Sequence, residues 1–543
     1  MRKGGRLAGM MNRRQEEDEM ADRQGEQEQR TERSADTASP VSTRRVRIAA
    51  AIVGAVILTA LGVTLFFALP RGKDFSLEAV RAEARAKGFA TSMQEFMKRR
   101  GDVPDDLNAA KVYEKAFSMS FGYEAYKEDS KIVPVVSRYL VLPATKVSDP
   151  ALKQAIVDAK AMDADPRTPI PEYILKDAKD YLSRRQDFLN LIHDGGSLPC
   201  ARYQVLRSGP DKPIMTLLGN MRATARLLSL DMAVDAENGQ SKDAVAKMRD
   251  GLAMARSLEG QPTVLGCLVE MACYSMLHEH FMRVIARSTP SNEDLSALQA
   301  DIESFAEHLS ARLPLEAQIA LTFANFDFIR TGKAPLSVPA AAYLGLSDTR
   351  VENLANRCVP SWITMGYYKA DTALTLRYLM YALEKSDPPD KAFIAQVWTK
   401  GAVPGPFATE MASQHYVLAP METRTTPSFM EQVERVRAKA RTAVAALAAL
   451  RFRNDTGGWP ATLDALVPKY MGKVPDDPMG SGPMKYAMNK EGVVIYSIGE
   501  NHKDDGGRGL YGLPHDEADD KAGRDDDGFQ IWISQPAQPG TAE

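Results

Sequence analysis

Residues 48–69 read IAAAIVGAVILTALGVTLFFAL, twenty-two positions without a charge, bracketed by Arg44, Arg45 and Arg47 before and by Pro70, Arg71 and Lys73 after. As a helix rising 1.5 Å per residue the run spans roughly 33 Å, about the thickness of a hydrocarbon core. A buried soluble helix is rarely apolar around its whole circumference, so the run predicts a single transmembrane helix over 46–70. It is too long and too far from the start for a cleaved signal peptide and reads as an uncleaved signal anchor. Three arginines press against its first turn, while Arg71 and Lys73 on the far side are diluted by Asp74 and Glu78. This bias favours a cytoplasmic N-terminus and an exported body.

Residues 1–45 hold ten Lys and Arg against nine Asp and Glu, with no aromatic side chain. Such a segment buries too little apolar surface to offset the entropy of ordering, so it is expected to be a disordered cytoplasmic tail. Across all 543 residues the net charge is -3, which gives no global field for nucleic acid, and none is expected as a partner. Four cysteines without a C-x-x-C pair exclude a disulfide-dense scaffold and a cysteine-type zinc site. Cys267 and Cys273 stand six apart on an expected helix and cannot bridge each other. Cys200 and Cys358 either meet in the fold or stay buried free thiols.

From residue 71 to 425 the apolar spacing is helical, which predicts a mainly α exported domain, an irregular bundle of helical hairpins. Expected helices cover about 75–97, the stretch after Pro104-Asp105-Asp106, 149–161, 170–193, 292–331 and 361–386. Between Pro213 and Pro290 three helices are broken at Gly239 and at Gly260-Gln261-Pro262. The central GQSKDAVAKMRDGLAMARSL is similar to one tetratricopeptide-type hairpin, with Ala244 at the close helix contact; no second copy at a period of 34 follows, so a solenoid is not expected. Tyr367, Tyr368, Tyr378 and Tyr381, with Trp362 and Met365, form an aromatic stripe expected in the core.

Residues 426–543 change character. A helix over 429–453 leads into NDTGGWPATLDALVPKY, then VPDDPMGSGPMKY, then VVIYSIGENHKDDGG and finally DDDGFQIWI. The β-branched and aromatic runs 493–499 and 528–534 signal strands. This order resembles the head of the type II secretion major pseudopilin, in which a helix passes through a G-x-P-x-x-L-x-x-L turn and a D-P-x-G-x-P loop into a small sheet with a calcium-binding acidic loop. Asp477, Pro478, Gly480, Pro483, Tyr486, Ser497 and Gly499 stand in matching positions. The resemblance covers about 115 residues and implies a small C-terminal α+β, pseudopilin-like domain. The whole chain also looks like a group of large single-anchor bacterial envelope proteins carrying the same tail, which implies the bacterial inner (cytoplasmic) membrane. A pseudopilin's leader, its glycine cleavage point and the Phe and Glu that follow are missing around Ile48, and some 350 residues separate span from head.

The loop 500–528 carries ten carboxylates against Lys503, Arg508, Lys521 and Arg524, a net charge of -6. Oxygen-rich, glycine-rich loops suit calcium, which takes six to eight oxygens; a solvated acidic surface is the alternative. The resemblance favours calcium, with Asp504 and Asp505 at one end, Asp525 and Asp527 at the other, and a backbone carbonyl near Ile498 or Gly499.

Other motif-like strings fail on context. Gly507, Gly509 and Gly512 spell G-x-G-x-x-G, but an Asp-Asp pair precedes them and Pro514 follows. His278 and His280 are two apart and diverge by about 200° on a helix, so a surface histidine pair is expected. The chain contains no G-x-S-x-G and no P-loop. Two function classes remain. One is a non-enzymatic envelope protein acting through protein contacts beside a type II secretion or pilus-like apparatus; the other is an envelope hydrolase with catalytic groups dispersed over the helical body.

Overall fold

The computed structural model describes residues 76–119, 165–203, 212–332, 361–395, 417–489, 492–507 and 527–532, with isolated positions 154, 158 and 407. Gly72–Cys358 and Tyr368–Glu543 form one compact unit, and Met1–Arg71 with Val359–Tyr367 form another, of which the helical residues 361–367 are described. The apolar run 48–69 lies outside the described residues, among which no helix is long and apolar enough to cross a membrane.

The larger unit is mainly helical with one small sheet. Its first helices are α1 (Leu77–Ala86), α2 (Met93–Arg99) and α3 (Ala109–Ser118), followed by α4 (Glu172–Ser183) and α5 (Gln186–Gly196). The single helices expected over 75–97 and 170–193 are each two. Gly88 adopts φ +80° between α1 and α2, and Ser92 then caps α2 by accepting from Glu95 N. Before α3, Asp105–Leu107 form only a 3-10 turn, and Asn108 supplies the cap by accepting from Ala110 N at 3.2 Å.

Three long helices follow, α6 (Lys212–Glu237), α7 (Ser241–Arg256) and α8 (Val264–Arg287), broken where Gly239 and the 260–262 stretch predict. Ala244 is buried as expected, and Gly251 lets α7 approach α8 closely, since a Cβ there would stand 2.7 Å from Leu277 Cδ1. Next come α9 (Asn292–His308), α10 (Arg312–Arg330), α11 (Ser361–Glu384), α12 (Lys391–Ala395) and α13 (Leu418–Thr456). Helices α5, α7, α9 and α13 pack in succession, and α8 lies against α6, α7 and α10. Of the aromatic stripe, Tyr367, Tyr368 and Tyr378 are buried, with Tyr368 stacked on Phe326 at 5.8 Å and Tyr378 against Phe393, whereas Met365 and Tyr381 are half-buried.

Helix α13 begins eleven residues earlier than its apolar pattern suggests. Pro420 falls in the first turn, where a missing N–H costs little. Pro427 lies in the interior and donates nothing to the carbonyl of Thr423, four residues back; the Tyr378 hydroxyl of α11 donates to that carbonyl instead, at 3.4 Å. Buried Asp371 caps the helix start, taking the N–H groups of Val417, Leu418 and Ala419 at 2.8 to 2.9 Å.

After α13, Gly457 in the left-handed region ends the helix, a 3-10 turn forms at Leu463–Leu466, and an antiparallel sheet of order β1-β2-β3 follows. Its strands are β1 (Lys485–Met488), β2 (Gly492–Ser497) and β3 (Asp527–Trp532). Central β2 is buried along its length, pairing Ile495 with Tyr486 on one side and with Phe529 on the other. Strands β2 and β3 of the sheet pack against α13, which also packs on α9.

Candidate functional site

The acidic loop is described up to Gly507. Asp504 Oδ1 accepts from the Tyr496 hydroxyl at 2.9 Å and from Gly506 N at 3.1 Å, while Lys485 Nζ stands 3.6 Å from Oδ2. Partial burial opposes ionisation, but those three donors outweigh it and hold Asp504 below the ordinary carboxylate range. Asp505 accepts from Asn501 Nδ2 at 2.7 Å, and Glu500 is held by Arg435 at 2.8 Å. Asp527 opens β3 opposite Ser497, so its backbone lies at the same end of β2 as Tyr496 and Asp504; its side chain and Asp525 lie outside the described residues. Among the described residues no group of three His, Cys, Asp or Glu side chains stands together to hold a metal. In the described part of the loop each of these carboxylates is thus held by protein donors.

His278 and His280 are not a surface pair. His278 is buried on α8 between Tyr274, whose hydroxyl lies 3.4 Å from Nδ1, and the edge of the Phe529 ring, with centroids 5.3 Å apart. Helix α8 is covered by α6, α7, α10, α13 and β3, so most of its circumference is interior. His280 Nδ1 lies 2.9 Å from the Met276 carbonyl one turn back.

A second constellation lies in the helical body. Between α5 and α7, residues 195–203 run across the starts of α3 and of the turn after α7, enclosing a cleft of about 710 Å³. The strand-like segment is pinned at several points. Ala109 N donates to the Cys200 carbonyl at 2.8 Å, and the Asn108 side chain bonds both Arg202 N and Arg202 O at 2.8 and 3.2 Å. Tyr203 and Ser257 share a buried hydroxyl bond at 2.7 Å. Gly260 allows the closest approach, since a Cβ there would stand 2.5 Å from the Ala201 carbonyl oxygen.

His193, near the end of α5, sets Nδ1 2.9 Å from Asp250 Oδ2 on α7. The imidazole is 69% exposed and the carboxylate 17%. Hydrogen bonding and charge from Asp250 push His193 above its ordinary value; burial pushes Asp250 up as well, against the pull of His193. The pair therefore holds a proton more firmly than a free histidine does, which suits a proton donor. Cys200 lines the same cleft as an exposed free thiol, whereas Cys267 and Cys273 are buried free thiols; Cys358 lies outside the described residues. Arg100, Arg202, Arg249 and Arg256 bring strong positive charge to the lining. No local motif marks this cleft in the sequence, because its members are drawn from four separated stretches. Comparison with protein-family models, with curated proteins and with solved structures found no match for this chain.

Proposed function

We propose that this is a membrane-anchored envelope protein acting through protein contacts beside a type II secretion or pilus-like apparatus, with a calcium-stabilised C-terminal head. The observation that carries the reading is the order of the tail: a long helix, a 3-10 turn at Leu463–Leu466, a loop closed by Asp477, and a three-stranded antiparallel sheet. Asp477 takes the Ser497 hydroxyl and the backbone N–H of Met479 and Ile498, and Gly499 N donates to Ser497 Oγ, so three of the residues that carry the resemblance share one buried network. A filament subunit needs its helix free to pack on copies of itself. Here α13 is covered by α9 and the sheet, which supports an accessory role in place of a filament role. Asp504, Asp505, Asp525 and Asp527 would hold the calcium, which supplies charge neutralisation to the acidic loop.

Photo-crosslinking in cells from exposed head positions such as Met488 tests this reading. A specific adduct with a pseudopilin or a platform protein of the secretion machinery is expected. Absence of any such adduct, together with unimpaired secretion in a deletion strain, would remove it. Protease protection on spheroplasts tests the topology; cleavage of the 1–45 tail from outside with the body shielded would reverse the orientation.

The second reading, an envelope hydrolase, is favoured by the His193–Asp250 pair at the cleft, which can hold and release a proton. Turnover in a hydrolase screen that His193→Gln abolishes would support it, and turnover indifferent to that change would not.

A further inference from the structure

The cleft between α5 and α7 holds positive charge that the described residues do not neutralise. Three of its cationic groups have carboxylate partners. Arg249 Nε pairs with Asp301 at 2.5 Å, Arg256 stands 3.7 Å from Glu259, and His193 pairs with Asp250. Arg100 and Arg202 have no carboxylate within ion-pair distance among the described residues. Arg202 donates from Nη1 and Nη2 to the carbonyls of Ala201 and Arg100 at 3.0 and 3.3 Å. Carbonyls satisfy hydrogen bonds but leave the charge unmet. Beyond these bonds, Arg202 Nε and Arg100 Nη1 are buried without an acceptor among the described residues, an expensive condition for N–H groups on cations. Burial, then repulsion from Arg202, lower Arg100 to about 10, against the opposing charge of Glu259. Even so lowered, the guanidinium stays protonated at neutral pH and cannot shed its charge as a lysine can.

We propose that this cleft binds a small anionic ligand through a phosphate or carboxylate group received by Arg100 and Arg202. The guanidinium fork matches the paired oxygens of either group. The site is built before the ligand arrives: Asn108 fixes the Arg202 backbone on both its N–H and its carbonyl, and Gly260 presses against Ala201. The cavity of about 710 Å³ is of the size that holds a metabolite-scale molecule. This inference goes beyond the secretion reading and stands without any catalytic step.

Cys200 provides a reporter, as the exposed thiol on the same lining. The full chain in detergent is titrated with inorganic phosphate in one arm and succinate in the other, at constant ionic strength, and Cys200 alkylation by iodoacetamide is followed by mass spectrometry. Saturable binding in at least one arm is expected, with slowed alkylation of Cys200 and weaker affinity at higher salt. Arg202→Gln and Arg100→Gln should each weaken binding by about tenfold or more, whereas Arg330→Gln, exposed on α10, should not. The arm that binds identifies phosphate or carboxylate. Binding unchanged in Arg100→Gln and Arg202→Gln, or neither binding nor protection of Cys200 in the wild type, would overturn the proposal. The wild-type protection result decides the matter if a variant does not fold.

Discussion

The Asp477 carboxylate accepts the Ser497 hydroxyl at 2.7 Å, joining the D-P-x-G-x-P loop to the end of the central strand of the sheet. Its second oxygen takes Ile498 N at 3.0 Å, and Met479 N closes the loop at 2.9 Å. Asp477 is buried, so these donors have no water to fall back on. Replacement by Ala would leave a hydroxyl and two backbone N–H groups unmet, costing about 3 kcal/mol. Asp477→Ala should therefore melt well below wild type, and Ser497→Ala, which removes only one donor, should cost about 1 kcal/mol. Equal melting of Asp477→Ala and wild type would mean that another group closes the loop.

Asp371 plays the corresponding part for α13. Its carboxylate, buried on α11, meets three N–H groups at the positive end of a 39-residue helix. Hydrogen bonding and the helix dipole act together there. Asp371→Ala should cost about 2 kcal/mol in urea unfolding, and Asp371→Asn, which keeps one acceptor oxygen, should cost less. A larger loss in Asn than in Ala would contradict the capping role.

Much of this architecture is legible in the sequence where glycine and proline punctuate it. Gly239 and the 260–262 stretch bound the hairpin helices, and Val493 to Ile498 advertise β2 through β-branching. Other parts are hidden for physical reasons. The apolar rhythm of Val80, Ala84 and Phe89 runs across the bend at Gly88, so α1 and α2 read as one helix. Pro420 and Pro427 lack the N–H that continues a helix, yet Tyr378, distant in sequence, repairs the carbonyl that Pro427 leaves open. Strand β1 has four residues, too few for an alternation to register. The arginine cleft is hidden most completely, since Arg100, His193, Arg202, Asp250 and Asp301 share no local pattern and meet only through packing.

Calcium should stabilise the head. The intact chain is the proper object, because α13 packs on both α9 and the sheet and an excised head would expose the residues that α9 covers. A loop of net charge -6 repels itself until a cation neutralises it. Binding linked to folding contributes RT ln(1 + [L]/Kd), about 2.7 kcal/mol at a hundredfold excess over Kd. The head transition should shift up by several degrees in calcium against chelator, less in magnesium, and not at all when Asp525 and Asp527 are both changed to Ala. No calcium-dependent shift in the wild type would leave 500–528 as a solvated acidic surface.

His278 should make the fold acid-sensitive. On α8 its ring is buried beside Tyr274; Phe529 and the Gly528 backbone face it from β3, and the charge of Lys439 reaches it from α13. Burial first, then the Lys439 charge, lower its pKa to about 3, with the Gly528 backbone opposing. The unfolded chain protonates this histidine near its ordinary value of about 6.5. Between those two values the unfolded state binds the extra proton, so stability rises with pH and is lost as pH falls from about 6.5 toward 3. Each pH unit in that window carries about 1.4 kcal/mol, or about 2 kcal/mol between neutrality and pH 5. His278→Phe removes the titrating group while keeping an aromatic ring against Tyr274 and Phe529. Urea unfolding of both proteins at pH 7 and pH 5 isolates the effect from the other titrating groups, which the two share. Wild type should lose about 2 kcal/mol more than His278→Phe on acidification. Parallel losses in the two proteins would show that His278 takes up its proton in the folded state as readily as in the unfolded one, and that α8 and β3 do not exclude the charge.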